Sequence, residues 1–184
     1  MDDYLVWMDL EMTGLNPDTA VIVEIATLIT DKDANLVAEG PVIAISHPPE
    51  VIAAMDSWSR EHHEQSGLLA RMLASKIDNA EAERLTLAFV SAHVKEKTVP
   101  LCGNSIWQDR RFLVKYMPAL NEYLHYRMVD VSTIKELVKR WYPNLPRYEK
   151  NNAHTALSDI MESIEELKFY RKRLFVKPED LQKV

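Results

Sequence analysis

The 184-residue chain holds a single cysteine, Cys102, and only four glycines. One thiol cannot close an internal disulfide, so a disulfide-stapled scaffold is excluded and a reducing cytoplasm is the expected compartment. Cys102 follows Val99-Pro100-Leu101 in an expected buried strand, where packing is a plainer role than nucleophilic catalysis. No apolar run reaches the length of a membrane span, so no membrane helix is expected. Met1-Asp2-Asp3 is acidic and the apolar run after it is too short for a secretory signal. Basic charge is scarce as well. With 22 Lys and Arg against 28 Asp and Glu the net charge is −6, which argues against a broad basic surface for long nucleic acid. A small pocket that takes a short anion onto bound cations stays open. There is no internal repeat or low-complexity stretch. The apolar fraction of 47% suits one full hydrophobic core, and a single domain is expected over residues 1–184, with its core over about 4–173 and a short C-terminal tail.

The most informative stretch is Asp9-Leu10-Glu11-Met12, which closes the apolar run Tyr4-Leu5-Val6-Trp7-Met8 and is followed by Thr13-Gly14. The run predicts a buried strand. Residues two apart on a strand share a face, so Asp9 and Glu11 project together. Like charges repel there, and desolvation makes the conflict worse. Either the strand end is solvated, or a divalent cation relieves the repulsion; oxygen-only ligands suit a hard ion such as Mg²⁺ or Mn²⁺.

Val21 to Thr30 and Leu36 to Ser46 predict two more strands, joined by a turn over Asp31 to Asn35. His47-Pro48-Pro49 ends this antiparallel meander. Val51 to Lys97 predicts helices broken near Ser57, Ser66-Gly67 and Asp78-Asn79. Val99 to Gly103 is an expected fourth strand, followed by a helix capped by Asn104 or Ser105 and running to Tyr116, with Pro118 beyond it. Tyr126 to Val129 predicts a fifth strand. A helix from Asp130 or Ser132 to Tyr142, a polar loop over Asn144 to Asn152 and a last helix over Ala153 to Leu174 complete the pattern. The expected fold class is α/β, a mixed sheet of about five strands flanked by helices.

Two further acids sit at the ends of core elements. Asp109 lies in the first turns of the helix after the fourth strand, where it could equally serve the helix dipole or pair with Arg. Asp159 lies on the last helix, where a solvated acid is ordinary. His154, five residues earlier, would sit about 140° round a continuous helix from Asp159, so a shared site requires His154 to precede the helix or lie in its first turn.

Taken together, Asp-x-Glu at a strand end, a later Asp on a helix, and His-x4-Asp at the last helix resemble the DEDDh group of 3′→5′ exonucleases, of ribonuclease H-like, DnaQ-type fold. Within it the sequence is similar to the oligoribonuclease family, on Asp9 to Leu15, Cys102 to Ile106, Gln108 to Leu113, His125 to Arg127 and Asp130 to Thr133. The resemblance implies that Asp9, Glu11, Asp109 and Asp159 hold two divalent cations, Mg²⁺ or Mn²⁺, with His154 as general base. It implies short RNA as the substrate, with Leu15 wedged between bases and Trp58 stacking on one. Ser105, His63, Arg127 and Ser132 would surround the terminal phosphate. Tyr126 and Arg127 would come from the second subunit of a homodimer. Core or surface packing is the alternative for Leu15 and Trp58; His63 is otherwise one of two adjacent helix histidines, and Tyr126 an alternating strand residue.

Two positions depart from the family pattern. Trp107 stands where a small residue is commoner, and Met161 where a basic one is. The implied activity is 3′→5′ hydrolysis of very short oligoribonucleotides, dinucleotides especially, in the cytoplasm. A DEDDh exonuclease of broader specificity and a non-catalytic module for short nucleotides are the rival expectations.

Overall fold

A computed structural model describes residues 3–149, 155–177 and 180. Five strands, β1 (Tyr4–Met12), β2 (Ile22–Asp31), β3 (Leu36–Ala44), β4 (Leu101–Gly103) and β5 (Met128–Asp130), form one mixed sheet in the order β3-β2-β1-β4-β5. The helices are α1 (Pro49–Ala53), α2 (Ser57–Gln65), α3 (Leu68–Ala74), α4 (Asn79–His93), α5 (Ile106–Tyr116), α6 (Pro118–Tyr123), α7 (Val131–Trp141) and α8 (Ala156–Leu174).

β1 lies at the centre and sets the position of the site. It pairs antiparallel with β2 along its length, Asp9 opposite Ala26 and Glu11 opposite Glu24. Its other edge pairs in parallel with β4 only at Val6 with Leu101 and Trp7 with Cys102. Beyond those two pairs β1 outruns its neighbour, and its tip is open to side chains from elsewhere in the fold. Alternation sorts the remaining residues. Val6, Met8 and Leu10 join a core with Ala82 and Val90 of α4, Phe112 and Leu113 of α5 and Leu120 of α6. Trp7 joins a second core with Val131 of α7 and with Ala156, Ile160 and Ile164 of α8. Asp9 and Glu11 therefore project on the α8 side. Each large side chain fully buried in these cores contributes about 1.5–3 kcal/mol. The Trp7 indole N–H is not left unpaired: it donates to Thr30 Oγ1 at 2.9 Å. Cys102 is fully buried, and burial pushes its thiol up, away from the reactive thiolate.

Three expectations need correction. Pro118 does not merely end α5 but opens α6, because its missing N–H and fixed φ suit the first helical position. Tyr126 is not in a strand; β5 begins at Met128, and Tyr126 lies in the bend before it, 72% exposed. The last helix begins at Ala156 rather than Ala153, since Thr155 is its N-cap and forms a reciprocal capping box with Ser158.

Candidate active site

At the tip of β1 the carboxylates of Asp9, Glu11 and Asp159 converge, with one ligand oxygen of each within 4.8 Å of the others. Asp159 is brought there by the first turns of α8. Asp109 adjoins this trio from α5: its Oδ1 accepts a hydrogen bond from the Leu10 backbone N–H at 2.9 Å. Burial, then the charges of Asp109, Glu11, Asp159 and Glu24, push Asp9 well above the ordinary carboxylate range. Burial first, then Asp159, Glu24 and Asp109, hold Glu11 at about 8, with Arg71 pulling the other way. Burial raises Asp109 to about 7 against the lowering effect of the Leu10 hydrogen bond. Oxygen-only donors that repel one another are a donor set that suits a hard divalent cation.

A fifth acid was missed from the sequence. Glu24 of β2 is fully buried opposite Glu11, its Oε1 paired with the Arg71 guanidinium of α3. The signal was there: a lone charge inside Ile22-Val23-Glu24-Ile25-Ala26, a run buried on both faces.

Ahead of α5 and at the start of α7, Ser105 and Ser132 meet. Ser105 precedes α5 with a left-handed φ of 51° and does not cap it; its hydroxyl faces Ser132 Oγ at 3.1 Å. Its N–H donates to Asp130 Oδ1 at 2.9 Å and to Ser132 Oγ at 3.0 Å. Both serines line an open groove of about 460 Å³, with Trp107 on one wall and Leu137 and Arg140 of α7 on the other. His63 is not part of that groove. It is buried on α2, with Nε2 2.9 Å from the Met12 carbonyl, so that this nitrogen carries the proton, and Nδ1 3.9 Å from Glu11 Oε2. Burial holds its pKa below the ordinary imidazole value, which keeps the ring neutral.

Leu15 stands 77% exposed on the loop after β1, beside a cleft it shares with Asp56, the N-cap of α2. Trp58, two residues into α2, is 70% exposed and stacks on His62 with ring centroids 4.9 Å apart. Tyr126 and Arg127 are exposed before β5, the guanidinium carbon 5.5 Å from the Tyr126 ring centre, and neither lines the Ser105 groove of its own chain. Trp107 is half exposed and carries the Arg111 guanidinium over its ring. His154 lies outside the described residues; α8 begins two positions after it.

The exonuclease family RNase_T matches residues 6–167. The chain is 54% identical over 172 residues to an oligoribonuclease of Shewanella oneidensis, covering 93% of this chain and 95% of that protein. It is 56% identical over 174 residues to one of Pseudomonas syringae pv. tomato, covering 95% and 97%. The chain belongs to the oligoribonuclease family. It is therefore a nuclease of the exonuclease class. Among solved structures, Escherichia coli exonuclease I in complex with a dT13 oligonucleotide shares the fold, with a TM-score of 0.70 at 14% identity over 93% of this chain. The chain spans only 41% of that exonuclease's length, so the likeness is one of fold. No helix among the described residues is long and apolar enough to cross a membrane.

Proposed function

We propose that this nuclease hydrolyses very short RNA, dinucleotides above all, from the 3′ end to nucleoside 5′-monophosphates. The observation that carries the reading is the meeting of Asp9, Glu11 and Asp159, with ligand oxygens within 4.8 Å of one another and Asp109 held against the same strand tip. In this reading these four acids hold two divalent cations, Mg²⁺ or Mn²⁺. Such ions, when bound, lower the pKa of a water and neutralise charge on a phosphodiester. His154 takes the proton of the attacking water; an imidazole titrating near neutrality suits that task. His63, neutral and fixed to Met12, packs beside Glu11 without donating to it.

The exposed Leu15 and Trp58 hold the bases, one as a wedge and one as a stacking face, which is tolerant of base identity. Ser105 and Ser132 receive the terminal phosphate in their groove. Tyr126 and Arg127 act from a second copy of the chain, consistent with their exposure and with their absence from their own groove. The fork of Arg127 suits phosphate oxygens. The net charge of −6 favours a short substrate over a long polyanion. A cytoplasmic site of action fits the one buried thiol.

The test is cleavage of 5′-phosphorylated RNAs from two to about twenty nucleotides, with Mn²⁺ and with chelator. The dinucleotide should be cleaved fastest and chelator should stop all cleavage. Equal rates on a 20-mer and a dimer would instead mean a broad exonuclease, and an intact dinucleotide in Mn²⁺ a binding module.

A further inference from the structure

Behind Ser105 and Ser132 runs a chain of hydrogen bonds whose direction is fixed from one buried acid. Glu166 of α8 is 1% exposed. Lys135 Nζ lies 3.1 Å from its Oε1, and the Tyr170 hydroxyl donates to the same oxygen at 3.0 Å. Its Oε2 accepts from Asn104 Nδ2 at 3.1 Å, and that amide also donates to Ser163 Oγ at 2.8 Å. Ser163 gives its own proton to the Asp159 carbonyl at 2.8 Å, so it too can only accept from Asn104.

A carboxylate has no proton to give, so Asn104 must turn its NH₂ toward α8 and its carbonyl oxygen toward Ser132. Ser132 Oγ accordingly donates to Asn104 Oδ1 at 3.0 Å. A hydroxyl has one proton, and that of Ser132 is now committed. Toward Ser105 it is an acceptor only, for the N–H at 3.0 Å and the hydroxyl at 3.1 Å. Ser105 keeps a proton that can turn elsewhere. Its left-handed backbone, which takes the hydroxyl away from helix capping, is held open to the groove by these same bonds.

Taking Ser105 and Ser132 as the receivers of the substrate's terminal phosphate, on which this inference rests, we infer that the two serines are not equivalent. Ser105 is the proton donor to the phosphate. Ser132 is a positioning residue that orients Ser105, and Glu166 sets that polarity through Asn104. Glu166 is thus a positioning residue for substrate binding that never touches substrate.

The experiment measures KM and kcat for a 5′-phosphorylated dinucleotide and for its 5′-hydroxyl counterpart, and reads the ratio of the two KM values. Ser105→Ala should raise that ratio about tenfold, the loss of one hydrogen bond to a charged group. Ser132→Ala should raise it about threefold or less. In Glu166→Gln the side-chain oxygen stays with Lys135 and Tyr170 and its NH₂ faces Asn104. Asn104 then flips, Ser163 turns its hydroxyl proton from the Asp159 carbonyl to the Asn104 oxygen, and the Ser132 proton is released toward the groove. Glu166→Gln placed in Ser105→Ala should therefore recover at least about a third of the lost ratio, a rescue that a purely structural role would not produce. Equal losses from the two serine variants, or a Glu166→Gln that deepens the Ser105→Ala defect, would overturn the inference while leaving the phosphate pocket intact. An unchanged ratio in both serine variants would remove the phosphate pocket and the inference together. Should Glu166→Gln not fold, the comparison of the two serine variants still decides.

Discussion

The backbone N–H of Leu10 donates to Asp109 Oδ1 at 2.9 Å, across 99 positions of sequence. Leu10 stands between Asp9 and Glu11, on the edge of β1 that β4 no longer covers. The side chain of Asp109 thus completes a strand edge and adds its charge beside two acids with the same contact. Two variants separate these roles. Asp109→Asn can still accept from Leu10, so it should fold with an unchanged or higher melting temperature while losing at least about a hundredfold in kcat. Asp109→Ala should lose activity and also about 1–3 kcal/mol of stability, since it leaves a buried N–H unpaired. Equal melting temperatures for the two variants would contradict the structural half.

The acids also predict a pH dependence in the metal-stripped protein. Burial and mutual repulsion hold Glu11 at about 8 and Asp109 at about 7, both above the ordinary carboxyl value near 4 of an unfolded chain. The folded state therefore binds more protons than the unfolded state between these limits. Stability is fully present below the ordinary carboxyl range and is lost as pH rises through about 7 and about 8. In chelator the melting temperature should fall from about pH 5 to about pH 8 and level off above it, and Mn²⁺ should restore most of the loss at the upper end. A flat profile in chelator would contradict the electrostatic account.

Arg127→Ala should weaken binding of a 5′-phosphorylated dinucleotide by about 2 kcal/mol, or roughly thirtyfold. Mixing tells in which chain the residue acts. If Arg127 serves the partner's site, Asp9→Ala and Arg127→Ala, each impaired alone, should regain activity when mixed and allowed to exchange subunits. A mixture no better than the sum of its parts would place Arg127 with its own chain.

Gly103 ends β4 against the central strand. A Cβ there would meet the Met8 carbonyl oxygen at 3.0 Å and Ile106 Cδ1 at 2.9 Å. The Ile106 methyl can turn away, but the Met8 carbonyl is sheet backbone. Gly103→Ala should therefore displace β4 and the start of α5, cost about 1–3 kcal/mol in a chemical denaturation curve, and lower kcat by moving Asp109.

Much of the fold was legible because its signals are local. The Val-, Ile- and Thr-rich runs marked β1 to β3, and the breaks at Ser57, Gly67 and Asp78 marked α2, α3 and α4. Where tertiary context decides, the sequence was less informative. Three-residue strands such as β4 and β5 carry too few side chains to show a period, and Pro118 reads alike as a stop or a start. The spacing of Asp9 and Glu11 showed their common face, yet nothing local brought Asp159 or Asp109 to it; that required the whole ordered pattern. Ser105 was expected as a helix cap, and only the fold shows its hydroxyl turned to Ser132. Glu24 and Glu166 read as ordinary acids until burial set them apart.

The most direct measurement is the hydrolysis of a 5′-phosphorylated dinucleotide by Asp9→Ala in saturating Mn²⁺, beside the wild-type enzyme. Cation-dependent chemistry at the tip of β1 predicts a folded variant that releases no mononucleotide above background. A variant that retained wild-type turnover would contradict it.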